Sequence, residues 1–168
     1  MRPQTNPSPK EPTDHLRGVV SLFLRLALAA AFLSAVADRF GFWGAPGADG
    51  VAWGEFSRFL AYTGLINPWA PEAIVPALGW IATVGEVVIG SALLLGFRTR
   101  SAAIASGVLL LLFGVGMTWG TGIKSALDAS VFSASAAAFS LAILGAGPLS
   151  VDRALGIGEG EINGRDAS

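Results

Sequence analysis

The chain alternates between long apolar segments and shorter polar or aromatic ones. Four apolar segments cover residues 16–37, 73–97, 101–119 and 127–144. At about 1.5 Å of rise per residue, helices of about 20 residues cross a bilayer core of about 30 Å. The pattern therefore predicts an all-α integral membrane protein, a four-helix bundle formed by one domain at residues 16–153.

Polar segments flank the predicted domain. Residues 1–15 are predicted to be a disordered tail and residues 154–168 a polar tail, and His15 belongs to the first of them. A cleaved signal peptide is the alternative for the first apolar segment, with Arg17 as its basic region and residues 35–37 as its small-residue site. Because Arg25 interrupts the apolar stretch, we expect this segment to remain as a span.

The connection between the first two spans is rich in aromatic residues, glycine and proline. It covers residues 38–71 and holds Trp43, Trp53 and Trp69, and tryptophan favours the membrane–water interface. Within it, residues 53–65 have helical spacing of apolar side chains. We expect a short helix that lies flat on the bilayer or caps the bundle and ends at Asn67, before Pro68.

The distribution of basic residues predicts the orientation. With four spans both termini lie on one side, and that side holds most of the lysine and arginine: Arg2, Lys10, Arg17, Arg98, Arg100, Arg153 and Arg165. The other side holds Arg39, Arg58 and Lys124. The positive-inside rule therefore places both termini in the cytoplasm and the aromatic connection on the outer face.

Composition narrows the function classes. The 168 residues are 52% hydrophobic and 14% charged, whereas soluble domains carry about 25% charged residues. A net charge of −1 supplies no basic patch for nucleic acid. The chain has no cysteine, which excludes thiol redox chemistry and iron–sulfur clusters, and its one histidine is in a predicted tail. No metal site is predicted.

Two ionisable residues lie deep inside apolar segments, Arg25 in the first span and Glu86 in the second. An unpaired charge at that depth costs several kcal/mol, so Glu86 is protonated, lines a polar cavity or has a partner. Antiparallel neighbouring helices would bring Arg25 and Glu86 to similar depth, so we expect them to pair. The pair is interpreted as a structural ion pair, as a site for a quinone head group or proton relay, or as Arg25 reaching the cytoplasmic surface instead.

A second polar group is predicted at the outer face. It consists of Asp38, Arg39, Lys124 and Asp128, which lie at the ends of spans, with Trp43 and Trp119 near. Charges at span ends anchor helices at the interface and interact with helix termini. The alternative is a substrate or partner site beneath the outer connection.

These features together resemble the DoxX family of small bacterial membrane proteins. The resemblance rests on RLALAAAFLSAVADRFG (25–41), GEVVIGSALLLGFRTR (85–100), the small-residue fourth span and the ending GPLSVDRAL (147–155). It implies a four-helix bundle in the bacterial inner membrane, with the first-span arginine and second-span glutamate of the family at Arg25 and Glu86.

The resemblance implies an accessory or scaffold subunit of a membrane-associated oxidoreductase system, with a quinone as the expected ligand. The alternatives are a catalytic quinone-reducing subunit of the thiosulfate:quinone oxidoreductase type and a small proton-linked transporter using Glu86. The expected partners are the lipid bilayer, an oxidoreductase subunit and further copies of the chain. Because cysteine and transmembrane histidine are absent, a redox role would require a quinone or a partner subunit.

Overall fold

Helices build the described part of the chain. A computed structural model describes residues 12–157. Its helices are, in chain order, α1 (Pro12–Arg39), α2 (Phe56–Ile66), α3 (Val75–Leu95), α4 (Thr99–Thr121), α5 (Ile123–Asp128), α6 (Val131–Leu144) and α7 (Val151–Ala154), with one 3-10 turn at Glu72–Ile74 before α3. No strand occurs in this range, and the all-helical prediction is confirmed. The prediction of a disordered tail is wrong for residues 12–15, which belong to α1, and the remainder of the two predicted tails lies outside the described residues.

Within residues 12–157, three helical segments are long and apolar enough to cross a membrane. They are Thr13–Arg39, Glu72–Leu95 and Thr99–Thr121. The helix α6 is also apolar but has 14 residues, about 21 Å of length, which is less than a bilayer core of about 30 Å. The prediction of one continuous helix over residues 127–144 is wrong, because the chain leaves helical geometry at Ser130, where φ is 56°.

Four helices surround a common interior. The helix α1 packs against α3 and α6, and α4 packs against the same two helices from the opposite side. The short helix predicted between the first two spans is present as α2, and it packs on α3 and α4. We call the end that carries α2 and α5 the α2 end, and the end that carries the α3–α4 turn and residues 145–155 the α7 end.

The apolar core extends from the middle of the molecule to the α7 end. Because α1 and α6 are rich in alanine and α4 begins with small residues, their backbones approach closely around a few large side chains. The buried core residues are Leu28, Ala29, Phe32, Leu93, Ala102, Ala103, Ala138, Leu141 and Ala142.

Two glycines of α4 receive aromatic rings of α6. A Cβ atom at Gly107 would lie 2.7 Å from the ring of Phe139, and one at Gly114 would lie 2.7 Å from the ring of Phe132. Between these contacts, the Ser135 hydroxyl donates to the carbonyl oxygen of Gly107 at 2.9 Å. The α4–α6 contact is therefore specified by residue size as well as by apolarity.

The turn between α3 and α4 is fixed by residues far along the chain. The helix α3 ends at Gly96, whose φ of 68° lies in the left-handed region, and the Phe97 N–H returns to the Ala92 carbonyl at 2.9 Å. The buried carboxylate of Asp152 then accepts the N–H groups of Arg98 at 2.6 Å and Thr99 at 2.7 Å. This carboxylate satisfies donors at the start of α4 that have no partner within the helix.

Candidate functional site

The buried carboxylate of Glu86 pairs with Arg39. Both oxygen atoms of Glu86 accept from Arg39 Nη2, at 2.7 and 2.8 Å, and Arg39 Nη1 donates to the Thr83 hydroxyl at 2.9 Å. Glu86 is 1% exposed and Arg39 is 4% exposed. Since Thr83 and Glu86 are three residues apart, they share one face of α3 and hold the guanidinium between them.

The helix α2 covers this pair with an aromatic ring. The guanidinium carbon of Arg39 lies 3.7 Å from the centre of the Phe59 ring, a cation–π contact. A chain of ring contacts holds α2 in place: Phe56 lies 5.5 Å from Phe40 and 4.6 Å from Trp80, centre to centre. The charge pair is thus enclosed by α1, α3 and α2 together.

The carboxylate of Asp38 organises the connection that leads to α2. Its Oδ2 accepts the N–H of Ala52 at 3.1 Å and that of Trp53 at 2.8 Å, and its carbonyl oxygen accepts the Gly54 N–H at 3.2 Å. These bonds bring Trp53 back to the end of α1. The Trp53 ring then lies 5.7 Å from Phe59 and 4.9 Å from Tyr62, centre to centre.

A cavity of about 600 Å³ occupies the α2 end of the interior and reaches Arg39 and Glu86. Its other lining residues with polar side chains are Trp53, Tyr62, Thr63 and Asn67. Apolar side chains from α1, α2, α3, α4 and α6 form the rest of the lining, among them Leu28, Phe32, Phe59, Ile81, Leu112, Phe113, Met117 and Val131. The cavity is therefore an apolar chamber with one charged pair in its wall.

The predicted pair of Arg25 with Glu86 is wrong. Arg25 donates from Nη1 to the carbonyl oxygen of Ala146 and from Nη2 to that of Leu149, both at 2.7 Å. It is 2% exposed and lies at the α7 end, where a Cβ atom at Gly96 would be 2.5 Å from its Nη1. Backbone carbonyls of a distant segment therefore bind this arginine.

The register between α1 and α3 explains why Glu86 meets Arg39. Gly96 lies opposite Arg25, Gly90 lies against Leu33, and Thr83 bonds to Arg39. Gly96, the residue directly after α3, is ten positions after Glu86, about 15 Å along the helix axis. Arg39, at the last position of α1, is therefore level with Glu86, whereas Arg25 lies level with the end of α3.

The predicted group of Asp38, Arg39, Lys124 and Asp128 does not form one site. Arg39 binds Glu86 and Thr83, and Asp38 binds the connection before α2. Lys124 pairs with Asp128 one helical turn away on α5, with both side chains exposed. Lys124 and Asp128 are an exposed pair, whereas Arg39 lines the cavity and Asp38 holds the connection that carries Trp53.

Three residues that matter here were missed in the sequence. Thr83 precedes Glu86 by three positions, and that spacing was a readable signal for a second hydrogen-bonding group on the same helix face. Phe59 lies in the predicted short helix, but its contact with a cation depends on tertiary packing. Asp152 lies in the segment GPLSVDRAL (147–155). No neighbouring residue in the sequence indicates that its carboxylate binds the first N–H groups of α4.

The arrangement has the chemistry of a binding site for an amphiphile. It offers apolar walls, aromatic rings and one buried charged pair, and it supplies no nucleophile with a neighbouring histidine. Comparison of the chain with protein-family models, with curated proteins and with solved structures finds no match.

Proposed function

We propose that this chain is an accessory membrane protein that binds a quinone in the cavity beside Arg39 and Glu86 and serves a partner oxidoreductase. The observation that carries the proposal is that a largely apolar cavity reaches a buried charged pair. A quinone matches both features, because the carbonyl oxygens of its ring can bind the charged pair and its apolar chain can pack against the cavity walls.

The dimensions of the cavity support this ligand class. Small-molecule sites measure about 300 to 1,000 Å³ and are lined mainly by apolar and aromatic groups with a few polar ones. The cavity of about 600 Å³ falls within that range, and Trp53, Phe59 and Tyr62 present rings against which a planar head group can pack.

Exposed side chains at the cavity wall support entry from the bilayer. Ile81 of α3 is 69% exposed and Leu112 of α4 is 63% exposed, and both line the cavity. Both belong to helices that are long and apolar enough to span a membrane. A ligand dissolved in lipid would therefore meet the cavity without passing through water.

The accessory role follows from the composition of the chain. A quinone that is reduced or oxidised here needs an electron donor or acceptor, and the chain contains no cysteine and one histidine, His15. We therefore assign the electron-transfer chemistry to a partner, and to this chain the holding of the quinone.

The topology that goes with this function is a four-span bundle of the DoxX type in a bacterial inner membrane, with both termini in the cytoplasm. In this proposal α5 and α6 together make the fourth crossing, since α6 alone is about 21 Å long. The basic residues near the α7 end support a cytoplasmic location for that end.

Tryptophan fluorescence tests the proposed function directly. The purified chain in detergent is titrated with 2-decyl-1,4-benzoquinone. We expect saturable quenching, and we expect the saturable part to disappear in Trp53→Phe because Trp53 lines the cavity. Trp119→Phe is the matched control, since Trp119 is 67% exposed and lies outside the lining. Quenching that never saturates and is equal in all three proteins would overturn the proposal.

A further inference from the structure

Two exposed arginines start from one place on the α7 end. The Arg98 N–H donates to the buried carboxylate of Asp152 at 2.6 Å, and Arg153 directly follows Asp152 in the chain. The Asp152 N–H in turn donates to the Gly96 carbonyl oxygen at 2.9 Å, so the α3–α4 turn and α7 lie side by side. The side chains of Arg98 and Arg153 therefore leave the backbone within one region of the surface.

These two arginines have no acidic partner in the part of the chain that the structure describes. Both side chains are exposed, and neither forms a salt bridge or a side-chain hydrogen bond among residues 12–157. The carboxylate of Asp152 is 5% exposed and accepts the backbone N–H groups of Arg98 and Thr99 instead. The two positive charges are therefore available to an anion from outside the chain.

The exposed basic residues at the α2 end differ in this respect. Arg58 pairs with Glu55, and Lys124 pairs with Asp128. A carboxylate thus already balances each of these two charges, whereas Arg98 and Arg153 are not balanced. An anion is therefore expected to bind at the α7 end in preference to the α2 end.

Exposed apolar side chains beside the arginines restrict the anion to a lipid. Phe97 precedes Arg98 and is 42% exposed, and Leu149 lies just before α7 and is 81% exposed. Leu149 has a left-handed backbone, with φ of 56°, and Arg25 binds its carbonyl oxygen at 2.7 Å, which fixes the backbone from which this leucine projects. A free phosphate gains nothing from apolar side chains, whereas the acyl chains of a phospholipid can contact them.

The lengths of α3 and α4 place this surface at the edge of a bilayer. Both helices belong to segments that are long and apolar enough to cross a membrane. Near their opposite ends, Trp80 is 50% exposed and Trp119 is 67% exposed, and tryptophan favours the membrane–water interface. Arg98 is 18 positions after Trp80, about 27 Å of helix, which is close to the thickness of a bilayer core of about 30 Å. Arg98 therefore lies at the depth of the lipid headgroups.

We propose that Arg98 and Arg153 form a site for the headgroup phosphate of an anionic phospholipid, with Leu149 against its acyl chains. Arginine suits this role because its planar guanidinium offers several donors to phosphate oxygens. Asp152 acts as a positioning residue, since its carboxylate holds the backbone of Arg98 and it directly precedes Arg153. The inference is independent of the quinone cavity, which lies at the α2 end.

Native mass spectrometry tests the lipid preference. Each protein in detergent is mixed with equal amounts of phosphatidylglycerol and phosphatidylcholine that carry the same acyl chains, and the complexes with one bound lipid are counted. The proteins are the wild type, Arg98→Gln/Arg153→Gln and Arg58→Gln/Lys124→Gln. The second double variant is the matched control, because it also removes two positive charges from exposed side chains, but at the α2 end.

A preference of about thirtyfold for phosphatidylglycerol is expected in the wild type, because each basic side chain near an anionic lipid surface contributes about fivefold to binding. We expect the control to retain this preference and Arg98→Gln/Arg153→Gln to bind the two lipids about equally. An equal preference in all three proteins, or an equal decrease in both double variants, overturns the inference. A wild type without any preference also overturns it and leaves the surface to an acidic protein partner.

Competition with glycerol 1-phosphate distinguishes a lipid from a free anion, since this compound has the phosphate but no acyl chains. We expect an equimolar amount to leave phosphatidylglycerol bound, and displacement of the lipid would assign the site to a free phosphate and overturn the inference.

A single variant decides the question if Arg98→Gln/Arg153→Gln does not fold. Arg153→Gln alone is expected to lower the preference for phosphatidylglycerol about fivefold, whereas Arg58→Gln alone leaves it unchanged. An unchanged preference in Arg153→Gln overturns the proposal.

Discussion

Two buried arginines on one helix have opposite surroundings. Arg25 lies at the α7 end, where backbone carbonyls of Ala146 and Leu149 bind it and glycine is required beside it. Arg39 lies at the α2 end, where it binds a carboxylate and borders a cavity of about 600 Å³. The first arginine joins segments of the chain that are distant in sequence. The second arginine leaves room for a ligand, and we therefore assign structure to one and binding to the other.

The largest effect on stability is expected from the loss of the Arg39–Glu86 pair. Arg39→Gln leaves a buried carboxylate without its partner, which destabilises proteins by about 3 to 5 kcal/mol. We expect Glu86→Gln in the same chain to restore much of that loss, since it removes the uncompensated charge. The free energy of unfolding in detergent is measured for Arg39→Gln, for Glu86→Gln and for the double variant.

A second double-mutant cycle serves as the matched control, and it combines Glu86→Gln with Arg25→Gln instead of Arg39→Gln. Arg25→Gln and Glu86→Gln are expected to be additive within about 0.5 kcal/mol, because the two sites do not share partners. Strong coupling of Glu86 to Arg25, together with additivity between Glu86 and Arg39, would reverse the comparison.

Removal of Arg25 is expected to have the next largest effect. Arg25→Gln loses two charge-assisted hydrogen bonds to backbone carbonyls, and we expect a net loss of about 1.5 to 3 kcal/mol, because the glutamine amide still has N–H groups that can donate to one of them. Arg58→Gln is the control, and an exposed pair such as Arg58–Glu55 contributes at most about 1 kcal/mol. Thermal unfolding distinguishes them. Equal melting temperatures for the two variants would mean that Arg25 does not hold the α7 end together.

The tight contact beside Arg25 gives a third prediction. In Gly96→Ala, the new Cβ atom would lie 2.5 Å from Arg25 Nη1 and 2.6 Å from Ser150 Cβ, and we expect a loss of about 1 to 3 kcal/mol. Gly156→Ala is the matched control. Gly156 has a similar positive φ, of 65°, and follows α7 with the same pattern of backbone hydrogen bonds, but a Cβ atom added there would meet no heavy atom within 4 Å. The difference between the two melting temperatures isolates the contact with Arg25, and no difference would argue against the enclosed site.

The smallest effect is expected at the start of α4. Asp152→Asn weakens the acceptor for two N–H groups, and loss of such a cap costs about 1 kcal/mol. Asp128→Asn changes an exposed carboxylate paired with Lys124 and should alter stability by less than about 0.5 kcal/mol. Chemical unfolding of the two variants in parallel measures both values. A larger loss in Asp128→Asn would mean that the Asp152 cap contributes little.

Much of the helical architecture was readable from the sequence. Apolar segments of sufficient length predicted the three membrane-length helices, and the spacing of residues 53–65 predicted α2, which ends at Ile66 before Asn67. The burial of Glu86 followed from its position in an apolar run. These features depend on local pattern and length, which a single sequence contains.

The partner of Glu86 was not readable in the same way. The expected pairing with Arg25 assumed that α1 and α3 end at the same level, whereas Arg25, 13 residues after the start of α1 at Pro12, lies level with Gly96 at the end of α3. It also treated Arg39 as an interfacial charge because it ends a span, but Phe59 of α2 covers it. The relative depth of two helices depends on close contacts such as that of Gly90 with Leu33, and a cavity arises only when all helices have packed.

Ligand-induced stabilisation tests the central claim most directly. The melting temperatures of the wild type, Arg25→Gln and Glu86→Gln are measured with and without 2-decyl-1,4-benzoquinone, since a ligand that binds the folded state stabilises it by an amount that grows with the logarithm of its concentration relative to its Kd. We predict that the quinone raises the melting temperature of the wild type and of Arg25→Gln equally. We predict no rise in Glu86→Gln, because Arg39 is no longer held at the cavity wall. A rise that survives in Glu86→Gln and disappears in Arg25→Gln would contradict the account.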